Sequence, residues 1–273
     1  MATRSLQDKV ALVIGASSGM GRATSLALAN EGAKVVCCDL RAEANPRGYE
    51  ADIEKTTSQL IVERGGESIF EQVDISNTSQ LEVAFGRAIS KFGRLDILVN
   101  TSGYWAPFEE FVDETDEVWA KMVGVHTIGS SKAMRLAIRQ FLKQEVDPKW
   151  GSRGRIVSIS SAAACTALPK EVAYSATKAS VNHMTRTAAM DHAKDWININ
   201  CIAPGVVATG MARGNIEDEA ILRQMKRSFP WPRLGTVDDI TAAVLFFCLP
   251  PSSWITGQVL SVDGGMALGI PSE

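Results

Sequence analysis

The sequence predicts a single α/β domain: a doubly wound, seven-stranded parallel sheet with helices on both faces. Three observations carry this. Short continuous apolar runs alternate along the chain with stretches of helical periodicity, the pattern of repeated βαβ units. The first run breaks into a glycine-rich turn that opens a helix. No repeat, low-complexity tract or linker divides the 273 residues, a length ample for a sizeable core.

Composition narrows the function before any motif does. Apolar residues make up 45% and charged residues 22%, as in ordinary soluble globular proteins. A net charge of −3 offers no basic surface for nucleic acid or acidic lipid. The start, Met1 to Asp8, lacks the apolar core of a signal peptide, and no run reaches the length of a membrane span. Five cysteines follow neither metal nor disulfide spacing, so they read as small core residues. The expected setting is the reducing cytoplasm, with no metal.

Lys9 to Ile14 is the first apolar run, as for a strand buried on both faces, and Arg22 to Glu31 reads as a helix closed by Gly32. Between them lies Gly15-Ala16-Ser17-Ser18-Gly19-Met20-Gly21. Strand, glycine turn and helix start together form a phosphate cradle, because the glycines let the backbone approach and the helix N-terminus faces the negative charge. Lys34 to Asp39 is the second strand. A carboxylate about 20 residues beyond the glycines can hold an adenosine ribose 2′-OH and would repel a 2′-phosphate, so Asp39 argues for NAD over NADP. Arg22 and Arg41 stand against it, since either can neutralise a phosphate.

A loop over 41–50 leads to a helix ending near Gly65-Gly66, and Ser68 to Val73 is a third strand followed by Asp74-Ile75. Gln80 to Phe92 is an amphipathic helix stopped at Gly93, and Leu95 to Asn100 is the fourth strand. Val118 to Leu142 predicts one long helix with Val118, Met122, Val125, Ala133 and Ala137 on its apolar stripe. Arg155 to Ile159 and Asn198 to Ile202 are further strands, with a helix over Val172 to Lys194 between them. From 206 to 232 the sheet rhythm is lost, as in a cover over a pocket. A last helix over Asp238 to Cys248 and a seventh strand over Gln258 to Val262 complete the pattern.

The chemistry concentrates around Tyr174 and Lys178, four apart at a helix start and therefore on one face. A cation beside a phenol favours the phenolate and makes a general acid/base of a group whose ordinary pKa is about 10. Ser161, at the end of the run Ile156 to Ile159, is placed to offer a hydroxyl to the same substrate oxygen.

With these stand Asn100-Thr-Ser-Gly103, Pro204-Gly205, Thr209, Trp254-Ile-Thr-Gly-Gln258 and Asp263-Gly-Gly265. In this order and spacing the set resembles the short-chain dehydrogenase/reductase family, in its single-domain branch, over nearly the full chain. The resemblance implies a Rossmann fold binding a nicotinamide cofactor, with Tyr174 as acid/base and Ser161 polarising the reacting oxygen. It implies that Lys178 holds the nicotinamide ribose and depresses the tyrosine pKa. Asp74 would meet the adenine, with Ile75 beside it; Asn100 would support the cofactor near its ribose. Val207 and Thr209 would meet the carboxamide, next to Pro204 and Gly205. Ser18 and Leu40 occupy the places where the family's NADP-selecting basic residues usually stand, which supports NAD.

Two positions depart from the family pattern. Ile14 replaces the threonine often found before the first glycine, and His126 stands where a helix usually offers an asparagine to the catalytic set. A histidine there implies either a packed core residue or a proton relay through water, and the second is the expectation adopted. The expected reaction is hydride transfer between NAD(H) and a secondary alcohol or ketone; the alternative is isomerisation, dehydration or cyclisation on the same fold and cofactor. Candidate pocket residues Tyr104, Trp105, Ala163, Cys165, Leu168, Met211, Phe229 and Trp231 suggest a bulky apolar small molecule. The expected assembly is a homotetramer: the helices over 118–142 and 172–194 carry more apolar residues than one contact with the sheet explains, and the resemblance implies that they pair between subunits.

Overall fold

The computed structural model describes residues 5–269, so the expected domain limits of 1 and 273 lie outside the described residues. Strands β1 (Val10–Ile14), β2 (Lys34–Asp39), β3 (Ser68–Gln72), β4 (Ile97–Asn100), β5 (Gly154–Ile159), β6 (Ile197–Pro204) and β7 (Val259–Val262) form one parallel sheet in the order β3-β2-β1-β4-β5-β6-β7. The order reverses between β1 and β4, whose register runs from Ala11 beside Ile97 to Ile14 beside Asn100. A crevice opens at the carboxyl ends of such a pair, and ligands of doubly wound sheets bind there.

Helices α1 (Gly19–Asn30), α2 (Thr57–Glu63), α3 (Thr78–Phe92), α4 (Asp116–Met122), α5 (Ser130–Phe141), α6 (Val172–His192), α7 (Arg213–Glu217), α8 (Glu219–Lys226) and α9 (Val237–Cys248) surround the sheet. Strand alternation sorts the core into two layers. Val10, Leu12 and Ile14 pack with Leu81, Phe85, Ala133 and Phe141 of α3 and α5. Ala11 and Val13 pack on the other side with Leu28, Ile240 and Phe247 of α1 and α9. Local chemistry sets the helix ends: Thr56 and Gln59 form a capping box on α2, and Gly93, at φ 81°, closes α3 in the left-handed conformation.

The helix predicted over Val118–Leu142 differs in form. It starts at Asp116, because the Thr115 side chain accepts from the Val118 N–H and caps it there. Between α4 and α5 runs a π-helical segment, Val123–Gly129. This widened turn carries His126 into the interior, where both ring nitrogens find partners. Gly129 permits the close approach to the sheet, since a Cβ there would lie 3.0 Å from Ile75.

Arg155 in β5 is fully buried and was legible only as the start of a strand. Its guanidinium donates to the Trp150 carbonyl at 2.7 Å, the Phe247 carbonyl at 3.1 Å and the Ser252 hydroxyl at 2.8 Å. It also stacks on the Trp150 ring at 4.5 Å, so one side chain ties the sheet centre to the end of α9.

Candidate active site

The glycine turn is built for close approach. Gly15 and Gly19 have φ values of 85° and 54°, and a Cβ on Gly21 would fall 1.9 Å from the Gly15 carbonyl oxygen. Thr101, just past β4, donates its hydroxyl to the Ile14 carbonyl at 2.7 Å and fixes the turn against the crevice. At the head of α1 the Gly19 N–H donates to the Glu50 carboxylate. An anion already satisfies the cradle, so its donors suit a dinucleotide's phosphates. The second Glu50 oxygen is buried without a partner. The same loop is held by the Asn45 N–H, which donates to Ser18 Oγ at 2.6 Å.

Asp39 ends β2 beside the turn. Its carboxylate accepts from the Ser17 N–H at 2.9 Å and the Leu40 N–H at 2.8 Å, and burial raises its pKa against these two bonds. Of the two arginines weighed against NAD, Arg22 is buried and donates to the Lys55 carbonyl at 2.9 Å. Arg41 is exposed. Asp74 follows β3 with its carboxylate accepting from the Ser76 N–H and hydroxyl at 2.8 and 2.7 Å, and Ile75 is buried against the core. Asn100 is buried behind the crevice, donating to Ser130 Oγ at 2.9 Å and accepting from Ser102 Oγ at 2.6 Å.

Ser161 lies between β5 and α6, and its oxygen accepts from the Ala163 N–H at 3.2 Å, leaving its own proton to donate. On α6 the Lys178 ammonium sits 5.8 Å from the centre of the Tyr174 ring and donates to the Ile159 carbonyl at 3.0 Å. Burial pushes Tyr174 up to about 12, against a lowering bond from Ser161 and with Glu171 raising it further. Burial also pushes Lys178 down to about 8. For Tyr174, desolvation of the phenolate outweighs the lowering bond from Ser161.

His126 is neutral, held down to about 2 by burial and then by the Lys178 charge. Its Nε2 accepts from the Tyr104 N–H at 2.9 Å, which places the ring proton on Nδ1, 2.9 Å from Thr177 Oγ1. Thr177 passes its own proton to the Ala173 carbonyl at 2.7 Å. A relay through water needs a free ring nitrogen, and both are engaged. The ring stands edge-on to Tyr174, with centres 5.5 Å apart.

A cavity of about 460 Å³ joins the halves of the expected site. Met20, Pro204, Gly205, Val207 and Thr209 line it together with Ser161 and Tyr174. Thr209 also packs on Gly19, whose added Cβ would meet its methyl at 3.4 Å. Lys178, His126 and Asn100 stand behind the wall as buried support, while Asp39 and Asp74 lie at the ends of β2 and β3.

Trp105, Ala163, Leu168 and Met211 line this cavity as expected from their chemistry. Four other candidates do not. Phe229 and Trp231 border a second cavity of about 500 Å³, because the chain folds onto Gly264, whose carbonyl accepts from the Trp231 N–H at 3.3 Å. Cys165 is exposed, and the Tyr104 ring is covered by the Lys121 ammonium at 4.0 Å. The segment 206–232 is not structureless: α7 and α8 form there, and Asp218 caps α8 by accepting from Ala220 and Ile221 N–H groups. Ile221 and Met225 of α8 reach the cavity. Glu171 also lines it and has no signature in the sequence beyond its place three residues before Tyr174.

A family profile described as enoyl-(acyl carrier protein) reductase matches residues 15–267. The chain is 32% identical over 266 residues to the short chain dehydrogenase/reductase astE of Aspergillus oryzae, covering 97% of each. It is 33% identical over 270 residues to the 2,5-dichloro-2,5-cyclohexadiene-1,4-diol dehydrogenase LinX of Sphingobium indicum, covering 99% of this chain and 100% of that one. A short-chain type dehydrogenase/reductase from Mycobacterium ulcerans superposes with a TM-score of 0.86 at 28% identity, covering 98% of this chain and 93% of that chain.

Proposed function

The chain belongs to the short-chain dehydrogenase/reductase family, and on that premise we propose that it transfers a hydride between NAD(H) and a secondary alcohol or ketone on a bulky, apolar skeleton. One observation carries the proposal. Ser161 and Tyr174 line one cavity together with Met20, Pro204, Gly205, Val207 and Thr209. The nicotinamide cofactor supplies the hydride chemistry when bound; the chain supplies position, a hydrogen bond and a proton.

Met20, Pro204, Gly205, Val207 and Thr209 bind on one side, with the glycine turn, Ser17, Ser18 and Asp39 at the phosphates and ribose. Asp74, Ile75 and Asn100 complete the set. Ser161 donates to the substrate oxygen, and Tyr174 moves the proton at that oxygen. With its phenol at about 12, Tyr174 is protonated at neutral pH and equipped to give that proton to a forming alkoxide. Lys178 keeps a positive charge behind it. His126 is a positioning residue: it holds the Tyr104 N–H and the Thr177 hydroxyl while its ring stands edge-on to Tyr174. Its engaged nitrogens give the alternative of isomerisation, dehydration or cyclisation no support.

Asp39, with Ser18 and Leu40 in place of basic residues, supports NAD as the preferred cofactor. The proposal includes one catalytic domain with residues 206–232 as substrate cover, acting on a small molecule in the cytoplasm. No helix among the described residues is long and apolar enough to cross a membrane. A homotetramer is supported by Ile128 and Met190, which stand 45% and 82% exposed on the two helical stretches expected to pair.

The test is the absorbance of reduced cofactor with a panel of cyclic alcohols and ketones, NAD and NADP side by side. Turnover with NAD is expected; no turnover with either cofactor sinks the proposal. Sedimentation at micromolar concentration checks the tetramer, and a monomer refutes that part.

A further inference from the structure

Glu171 stands immediately before α6, within one turn of Tyr174, and lines the same cavity. An acid at a helix start ordinarily caps it. Glu171 makes no cap bond, and the Ala173 N–H donates instead to both Glu114 oxygens, at 3.1 Å each. Nor is Glu171 part of an ion pair among the described residues. Its neighbour Lys170 turns to Glu110 at 3.2 Å. The structural tasks that would explain a carboxyl here are thus filled by other residues.

What surrounds Glu171 makes its position unfavourable in the free protein. Ala163, Leu168, Met211 and Met225 share the cavity wall, and burial pushes the carboxyl up to about 7, with the Trp105 indole opposing. A polar group held in an apolar wall is destabilising unless a partner arrives. The Trp105 side chain supplies one hydrogen bond, which leaves the rest of the carboxyl's capacity for a partner from the cavity it lines.

We propose that Glu171 is a specificity residue whose carboxyl exchanges a hydrogen bond with a second hydroxyl on the substrate, so that the enzyme selects diols or hydroxyketones over simple alcohols. This rests on the hydride-transfer reading of the same cavity. A carboxyl group accepts from a hydroxyl when ionised and donates to one when protonated, whereas an ammonium demands the full anion. The apolar wall disfavours bringing in that charge.

The probes are cyclohexanol, cyclohexane-1,2-diol and 2-aminocyclohexanol, tested with NAD against the wild type, Glu171→Leu and Glu171→Gln. Two quantities are read: kcat/KM, and affinity by thermal shift in the presence of NAD. Wild type should prefer the diol over cyclohexanol, and Glu171→Leu should lower that ratio on the order of tenfold, the weight of one hydrogen bond to a charged or half-charged group. Glu171→Gln, which also donates and accepts, should keep part of the preference. An equal diol-to-cyclohexanol ratio in wild type and Glu171→Leu overturns the role, and preference for the amine overturns the hydroxyl assignment. If none of the three turns over, hydride transfer on such alcohols fails, yet the affinity ratio still decides Glu171.

Discussion

The Glu50 carboxylate accepts a hydrogen bond from the Gly19 N–H, at the first residue of α1 and in the place where a phosphate is expected. A bound dinucleotide must displace it. Glu50→Ala should therefore tighten NAD binding, by about tenfold if the lost bond is worth what charge-assisted bonds usually are. Titration by fluorescence checks this. Unchanged or weaker binding would mean that Glu50 supports the cradle instead of competing for it.

Tyr174→Phe should lower turnover by on the order of 10²–10⁴-fold while NAD affinity stays within a factor of about two. Only the transferable proton is removed. Lys178→Ala should harm both turnover and affinity, because its ammonium lies behind the tyrosine on the Ile159 carbonyl. Wild-type rates in the phenylalanine variant would refute the proton role.

His126 links pH to stability. Its folded-state pKa lies near 2, below the roughly 6.5 of an unfolded chain. As pH falls through about 6.5, the unfolded chain binds a proton that the native state refuses. Stability is lost in that window by up to about 1.4 kcal/mol per pH unit. His126→Asn should flatten the fall of melting temperature between about pH 6.5 and 4.5, and leave the shape of the turnover profile near neutrality unchanged. A limb near neutrality that vanishes in the variant would restore the relay.

Arg155→Ala should destabilise the fold by about 3 kcal/mol or more, because three buried acceptors lose a charged donor. Arg155→Lys should recover less than half, since one ammonium cannot span carbonyls on either side of a planar fork. Denaturant unfolding measures both. A fully stable lysine variant would show that charge, not geometry, holds the end of α9.

How far the sequence reached depended on whether a feature was local. Strand runs such as Val10–Ile14 and the turn ending at Gly21 announce themselves through burial and backbone constraint, so the sheet and cradle were legible. Tyr174 and Lys178 were legible because helical spacing fixes their shared face. Phe229 and Trp231 were misplaced because aromatic character says nothing about which way a cover segment folds. The histidine's engagement depends on Tyr104 and Thr177, which no spacing connects to it. Glu50 and Glu171 are single carboxylates in ordinary stretches. Their meaning comes from what other residues leave undone: an orphan oxygen in one case, a cap supplied by Glu114 in the other.

The π-helical segment before α5 has a consequence of phase. A π turn holds one residue more than the α turn it replaces, so side chains ahead of it are rotated by about 100° relative to those behind. Ala133, Ala137 and Phe141 keep their bearing on the sheet regardless of what precedes Ser130. Gly124, where an added Cβ would touch nothing, is the residue that a shortened chain could surrender. Its removal would change the bearing of Met122 and the rest of α4 relative to Ala133, Ala137 and Phe141. In a lineage of such chains, one codon gained or dropped here re-aims the helix ahead of the turn relative to the helix behind it.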